Sequence, residues 1–119
     1  AGSHEPSDRK IAIRDRDAVR LIREDRIAWV DAAGDYMCVH ADGETHVMRC
    51  TMKRLLELLD GKVFKRVHRS TIVNLNFIGM AKVLPKGEYM LLLENGERIK
   101  VSQNYRSEVG DNLRRLDPD

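Results

Sequence analysis

The sequence predicts one small, mainly β domain with two short α-helices, and three observations carry that prediction. Apolar residues come in short runs of the length that strands use. Tight-turn dipeptides separate these runs, and only two segments show the i, i+3, i+4, i+7 spacing of an amphipathic helix. With 119 residues and 42% hydrophobic content, the chain can bury one modest core. A multidomain enzyme is therefore excluded.

The first half of the chain is predicted to hold five strands. Asp15 to Asp17 forms the first turn, and Asp42-Gly43 accepts the positive φ angles of a tight hairpin turn. Glu24 and Asp25 lead into the third strand. The predicted strands lie around Ile11 to Ile13, Ala18 to Ile22, Ile27 to Val30, Tyr36 to Ala41 and Thr45 to Cys50.

The second half combines two helices with three further strands. Thr51 is placed to cap a helix with the apolar stripe Met52, Leu55, Leu56 and Leu59, and Gly61 is placed to end it. Ser102 is the predicted cap of a C-terminal helix, which Gly110 weakens by about 1 kcal/mol relative to Ala. The apolar stripe of that helix is predicted to be core: Tyr105, Val109, Leu113 and Leu116. Turns at Pro85-Lys86-Gly87 and Asn95-Gly96 join strands at Phe77 to Leu84, Tyr89 to Leu93 and Arg98 to Val101.

The domain boundaries and the cellular location follow from composition. Residues 1–9 read as a cloning remnant and flexible linker, residues 10–116 as the folded domain and residues 117–119 as a tail. Apolar runs are far shorter than the roughly 18 to 20 residues that a membrane span needs. Two cysteines are too few for a disulfide framework, so we expect a reducing, cytoplasmic setting.

Charge is unevenly distributed along the chain, although the net charge is only +2. The segment from Ala28 to Met48 holds four acids and no Lys or Arg, which gives −4. The segment from Gly61 to Gly87 holds six bases and no acid, which gives +6. A solvated face without a partner is one interpretation. The other is a surface that faces a polyanion, because phosphate contacts need grouped Lys and Arg more than a high net charge.

Several separated motifs, in this order, resemble one known family. They are Asp31-Ala32-Ala33-Gly34-Asp35-Tyr36, the helix start Thr51-Met52-Lys53-Arg54-Leu55-Leu56, Phe64-Lys65-Arg66-Val67-His68-Arg69-Ser70, Ile72-Val73-Asn74-Leu75, Asn95-Gly96 and Val101-Ser102-Gln103-Asn104-Tyr105. Together they resemble the LytTR (LytR/AgrA-like) family of bacterial DNA-binding domains. The resemblance covers about residues 10 to 116.

The resemblance implies an elongated stack of short antiparallel sheets that binds double-stranded promoter DNA through loops. Such a domain is usually the output half of a two-component response regulator, behind a receiver domain. It binds paired half-sites, which implies a homodimer on DNA, and it regulates transcription. No cofactor, catalytic residue or metal ligand is implied.

Carried over by position, the resemblance assigns the base contacts, and basic side chains near them suit phosphate contacts. The expected base contacts are Tyr36, Met37, Arg69, Gln103 and Asn104. The expected phosphate contacts are Lys53, Lys65, Arg66, His68 and Arg106. Arg69 can donate two hydrogen bonds to guanine, and Asn104 or Gln103 can pair with adenine. Family members often have a basic residue where this chain has neutral Gln103. The amide of Gln103 suits a contact with adenine better than one with a phosphate or guanine.

Structural roles compete with several of these assignments. His68 can shape its own loop, Tyr36 can pack in its hairpin, and Asn74 is predicted to bond backbone in a turn. A metal site at Cys38, His40 and His46 is conceivable, but the spacing matches no zinc pattern. The alternative to DNA binding is a β-rich protein-interaction or ligand-sensing module.

Overall fold

The computed structural model describes residues 9–116, with the side chains of Asp15 and Leu116 left aside. Most of the expected linker and the whole of the expected tail, residues 1–8 and 117–119, lie outside the described residues. Arg9, the first described residue, contacts the domain at two points. Its Nη2 donates to the Leu58 carbonyl oxygen at 2.9 Å, and its Nε lies 3.2 Å from the Glu24 carboxylate.

Ten strands and two α-helices make up the described chain. The strands are β1 (Lys10–Asp15), β2 (Ala18–Arg23), β3 (Ile27–Ala33), β4 (Tyr36–Ala41), β5 (Glu44–Arg49), β6 (Phe64–His68), β7 (Thr71–Asn74), β8 (Ile78–Val83), β9 (Tyr89–Leu93) and β10 (Arg98–Val101). The α-helices are α1 (Met52–Leu58) and α2 (Arg106–Leu116). Short 3-10 turns lie at Glu24–Arg26, Leu75–Phe77 and Gln103–Tyr105.

The strands form three antiparallel sheets. A β1-β2 hairpin is followed by a five-stranded sheet in the order β5-β4-β3-β7-β6 and a three-stranded sheet in the order β10-β9-β8. The described chain measures 49 × 36 × 25 Å along its principal axes, so the stack is elongated. The predicted fold class is confirmed.

Two hydrophobic clusters lie on the two faces of the five-stranded sheet. Side chains alternate between the faces of a strand, and on β7 Ile72 enters one cluster while Val73 enters the other. Leu55 of α1 packs into the first cluster, together with β1. Val109 of α2 packs into the second cluster, with the three-stranded sheet. The expected core stripe of α2 is confirmed for Tyr105, Val109 and Leu113.

The β4–β5 hairpin turns at Asp42-Gly43 as predicted. Both residues have positive φ, at 52° and 77°, as a two-residue hairpin turn with the right-handed twist requires. Strand β5 starts at Glu44 and ends at Arg49, one residue earlier at each end than expected.

Both helices depart from the expected caps at one end. Thr51 caps α1 as predicted, since its side chain accepts from the Arg54 N–H at 3.1 Å. The helix ends at Leu58, before Gly61, because Leu59 adopts an extended conformation and is buried. The side chain of Ser102 makes no capping hydrogen bond to the 3-10 turn that follows it. Within residues 9–116, no helix combines the length and the apolar character of a membrane span.

Candidate nucleic-acid interface

One end of the five-stranded sheet gathers three connections between strands. Tyr36 pairs with Ala33 on one side and with Arg49 on the other, so the β3–β4 turn and the end of β5 lie together. The Ala32 N–H donates to the Ser70 carbonyl oxygen at 2.8 Å. This bond places the β6–β7 turn, residues 69–70, beside the β3–β4 turn.

A β-bulge brings a third segment to the same end. The pairing of β6 with β7 shifts between Arg66 and His68, which leaves Val67 without a ladder partner there. The Val67 carbonyl oxygen instead accepts the Ser102 N–H at 2.9 Å. The 3-10 turn Gln103–Tyr105 therefore begins beside the end of β6.

Four of the five expected base contacts are exposed on these segments: Tyr36, Arg69, Gln103 and Asn104. Tyr36 is 48% exposed at the start of β4. None of the four side chains makes a hydrogen bond or an ion pair within residues 9–116. Their polar groups are thus available to an external partner.

Met37 was expected to contact a base, and the structure argues against that role. Its side chain is 3% exposed and packs in the first hydrophobic cluster. Neighbours on a strand point to opposite faces, so Met37 must be buried where Tyr36 is exposed. Met37 supports the strand that presents Tyr36.

The expected phosphate contacts Lys53 and Arg106 lie at the first turns of α1 and α2, and both are exposed. The Lys53 ammonium has no partner in the described chain. Nη1 of Arg106 donates to the Lys86 carbonyl oxygen at 3.2 Å, which leaves other N–H groups of the guanidinium unused. Lys65 differs from both because its Nζ lies 3.3 Å from the Glu108 carboxylate and its side chain is 21% exposed.

Arg66 and His68 are engaged within the protein. Nη2 of Arg66 donates to the Arg69 carbonyl oxygen, and the guanidinium carbon lies 5.7 Å from the centre of the Tyr105 ring. Nδ1 of His68 accepts the Ser70 N–H at 3.2 Å and lies 2.9 Å from the Ser70 hydroxyl. His68 therefore stabilises the β6–β7 turn, which is the structural role that competed with a phosphate contact.

Arg49 is a cation at this sheet end that the sequence reasoning missed. It is exposed at the end of β5, opposite Tyr36, and makes no ion pair among residues 9–116. A shallow depression there is lined by Gly34, Asp35, Arg49 and Thr51, which brings the start of α1 to the same surface. The register of the Asp42-Gly43 hairpin was the available signal, because in a two-residue hairpin it fixes the partner of every residue.

The three side chains considered for a metal site do not all lie on one face of the sheet. Cys38 pairs with Val47 and His40 with Thr45, whereas His46 pairs with Val39 and so faces the opposite side of the sheet. No group of three metal-ligating side chains is found among the described residues. Cys38 and Cys50 are free, and burial raises the pKa of both thiols, which disfavours the nucleophilic thiolate.

A small β domain with exposed Arg, amide and phenol side chains on the loops of one sheet end has the features of a nucleic-acid-binding module. Comparison with known families specifies the class. The LytTr DNA-binding domain family matches residues 17–114, and the chain belongs to this family. This family is one of DNA-binding domains and not of enzymes. Membership of the chain in the family favours a DNA-binding domain over a protein-interaction or ligand-sensing module.

Individual relatives agree with the family. The chain is 30% identical over 105 residues to the sensory transduction proteins LytT of Bacillus anthracis and Bacillus cereus, and 24% identical over 108 residues to that of Enterococcus faecalis. The match with each Bacillus relative spans 88% of this chain and 43% of the relative. The match with the Enterococcus relative spans 91% of this chain and 45% of the relative, so the chain is less than half the length of all three. A solved LytTr DNA-binding domain from a Bacillus cereus response regulator superposes with a TM-score of 0.79 at 26% identity, covering 90% of this chain and 98% of that one.

Proposed function

We propose that this domain binds duplex DNA sequence-specifically with the end of the five-stranded sheet and thereby regulates transcription. One observation carries the proposal. Tyr36, Arg69, Gln103 and Asn104 come from three separate segments that main-chain hydrogen bonds link to one sheet end. All four are exposed, and their side chains make no hydrogen bond or ion pair within residues 9–116. Side chains that must reach base edges need such a rigid support.

Three of these side chains suit direct readout of bases. Arg69 lies at the tip of the β6–β7 turn, where its guanidinium can donate two hydrogen bonds to guanine O6 and N7. Asn104 and Gln103 can each pair with adenine N6 and N7. Tyr36 offers a hydroxyl and a ring that can pack on a thymine methyl group or a sugar.

Phosphate contacts would fix the register of the domain on the duplex without reading sequence. Lys53, Arg106 and Arg49 are exposed cations on the segments that surround the proposed base-reading side chains. Lys65 would have to exchange Glu108 for a phosphate. Four to six neutralised phosphates per domain would give a log-log salt slope of about −4 to −5.

The role of the domain in a longer protein is also a proposal. The curated relatives are sensory transduction proteins more than twice as long as the matched region. An output role, in which a receiver domain controls a DNA-binding domain that acts as a homodimer on paired half-sites, would suit such a protein. No cofactor or catalytic step is required.

Selection of bound sequences from random duplex DNA tests the proposed function most directly. We expect enrichment of one short motif, which recurs at a fixed spacing if two domains bind together. The variant Arg69→Ala should lose the preference at one position of that motif. Recovery of unenriched DNA, with equal affinity for every duplex tested, would refute sequence-specific binding.

A further inference from the structure

The guanidinium of Arg66 is held on two sides within the protein. Nη2 donates to the Arg69 carbonyl oxygen, and the group lies over the Tyr105 ring at 5.7 Å. Nε of Arg66 is shielded from solvent and has no hydrogen-bond partner among the described residues. A phosphate ligand needs free N–H groups, whereas one nitrogen of this group already donates to the protein and another is shielded from solvent.

The two partners of Arg66 belong to two of the three proposed base-reading segments. Arg69 is itself the tip of the β6–β7 turn, and Tyr105 directly follows Gln103 and Asn104 in the 3-10 turn. A single planar group thus connects the backbone of one segment with a side chain of the other. The Ser102 to Val67 hydrogen bond joins the end of β6 to the same 3-10 turn through the main chain, at the bulge itself.

We propose that Arg66 is a positioning residue that fixes the β6–β7 turn relative to the Gln103–Tyr105 turn, so that the two segments read adjacent base pairs together. This inference rests on the proposed DNA binding. Lysine should not replace arginine here. The planar guanidinium can face an aromatic ring and at the same time donate an N–H in its own plane, whereas an ammonium has no planar face. Direct base contacts tolerate only small displacements, so loosening this link should weaken discrimination at both segments.

The test compares binding of one selected duplex and one scrambled duplex over a range of salt concentrations. Arg66→Ala removes the guanidinium and Arg66→Lys keeps only the charge. Tyr105→Leu removes the ring, and Tyr105→Phe keeps it. Lys62→Ala is the matched control for charge, since Lys62 is an exposed base of the same stretch that lies before β6, at the opposite end from the β6–β7 turn. Thermal unfolding of every variant shows which of them are folded.

A positioning role predicts that Arg66→Lys and Tyr105→Leu lower the ratio of specific to nonspecific affinity by roughly 5- to 150-fold, with an unchanged salt slope. The loss should appear at the base positions of both Arg69 and Asn104. Tyr105→Phe and Lys62→Ala should keep the wild-type ratio. If Arg66→Ala is too unstable to measure, Arg66→Lys and the comparison of Tyr105→Leu with Tyr105→Phe still distinguish a positioning role from a phosphate contact.

A phosphate role predicts a different pattern and would overturn the inference. Arg66→Lys would then bind like the wild type, while Arg66→Ala would weaken both duplexes equally and reduce the salt slope by about one. A wild-type protein that discriminates no sequences would instead refute the proposed function itself. The two failures are therefore distinguishable.

Discussion

The Ser102 N–H donates a hydrogen bond to the Val67 carbonyl oxygen at 2.9 Å, and this bond holds the Gln103–Tyr105 turn beside β6, the strand that leads to Arg69. It exists because the β-bulge at Val67 releases that carbonyl from the β6–β7 ladder. The side chain of Val67 is fully buried in the second hydrophobic cluster, which holds the bulge in place. The core of the domain thus determines where Gln103 and Asn104 stand relative to Arg69.

Arg69→Ala should lower discrimination at one base pair by roughly 1 to 3 kcal/mol, because a bidentate contact with guanine would be lost. Competition binding with duplexes that differ at single positions measures this directly. Arg98→Ala is a suitable control, since Arg98 is an exposed arginine on β10 with no partner in the described chain. An equal loss of affinity on all duplexes would instead assign Arg69 to a phosphate.

Glu108→Gln should strengthen DNA binding at low salt by roughly two- to five-fold, the range expected for an exposed ion pair. The substitution frees Lys65, whose Nζ lies 3.3 Å from the Glu108 carboxylate, and removes a negative charge beside the interface. Fluorescence anisotropy on a scrambled duplex is the appropriate measurement. Glu97→Gln controls for a change in net charge alone, because Glu97 is exposed before β10 and makes no ion pair within residues 9–116. Unchanged or weaker binding by Glu108→Gln would show that Lys65 does not face the DNA.

The fold could be predicted from local patterns because its strands are short, its turns are chemically explicit and its helices have one apolar side. Asp42-Gly43 and Asn95-Gly96 determine two hairpins by their own conformational preferences. The end of α1 could not be predicted, since burial of Leu59 in an extended conformation overrides the glycine signal.

The candidate site was harder to predict than the fold. Family resemblance assigned Met37 to the DNA along with Tyr36, although strand alternation places these neighbours on opposite faces. Composition could not distinguish Lys53 and Arg69, whose side chains have no partner within residues 9–116, from Arg66 and Lys65. The last two contact Tyr105 and Glu108, which are distant in sequence. Arg49 could have been found by extending the hairpin register from Asp42-Gly43.

Asn74→Ala should reduce the free energy of unfolding by about 2 to 4 kcal/mol, because two main-chain groups lose their partner. Asn74 is buried, its Nδ2 donates to the Ile27 carbonyl oxygen at 2.9 Å, and its Oδ1 accepts the Asn76 N–H at 2.8 Å. Urea unfolding measures the loss. Asn95→Ala is the control, because Asn95 is exposed and accepts one hydrogen bond, from the Glu97 N–H. Similar losses for both variants would contradict a special role for the buried amide.

Gly43→Ala and Gly61→Ala should change stability in opposite directions. Gly43 has a φ of 77°, where a side chain costs about 1 to 2 kcal/mol, although no neighbour crowds the site. Gly61 does not have a positive φ and has open space around it. Alanine there should raise the free energy of unfolding by about 0.4 to 1 kcal/mol, because it lowers the conformational entropy of the unfolded chain. Thermal unfolding of the two variants under one condition gives the comparison. Destabilisation by Gly61→Ala would show that the turn after α1 needs glycine for a further reason.

Glu24 should make the stability of the domain depend on pH in the direction opposite to that of most carboxylates. Burial raises the pKa of its carboxyl group above the ordinary value of 4.5, and Asp60 and Asp25 act in the same direction, while Arg9 and a hydrogen bond from the Asp60 backbone oppose the shift. In the pH range between the unfolded and the folded pKa, the native state binds more protons than the unfolded chain. The contribution of Glu24 to stability therefore rises as pH falls through the folded pKa, is complete below the unfolded pKa, and is lost again as pH rises.

Glu24→Gln removes this dependence because an amide does not titrate. Urea unfolding of the wild type and the variant from about pH 7.5 to about pH 4 should show the difference in unfolding free energy moving in favour of the wild type as the solution becomes more acidic. Glu57→Gln is the matched control, since Glu57 is an exposed carboxylate paired with Arg54 at 3.2 Å. A difference that moves toward the Glu24→Gln variant on acidification would mean that the ion pair with Arg9, at 3.2 Å, outweighs the cost of burying the carboxylate.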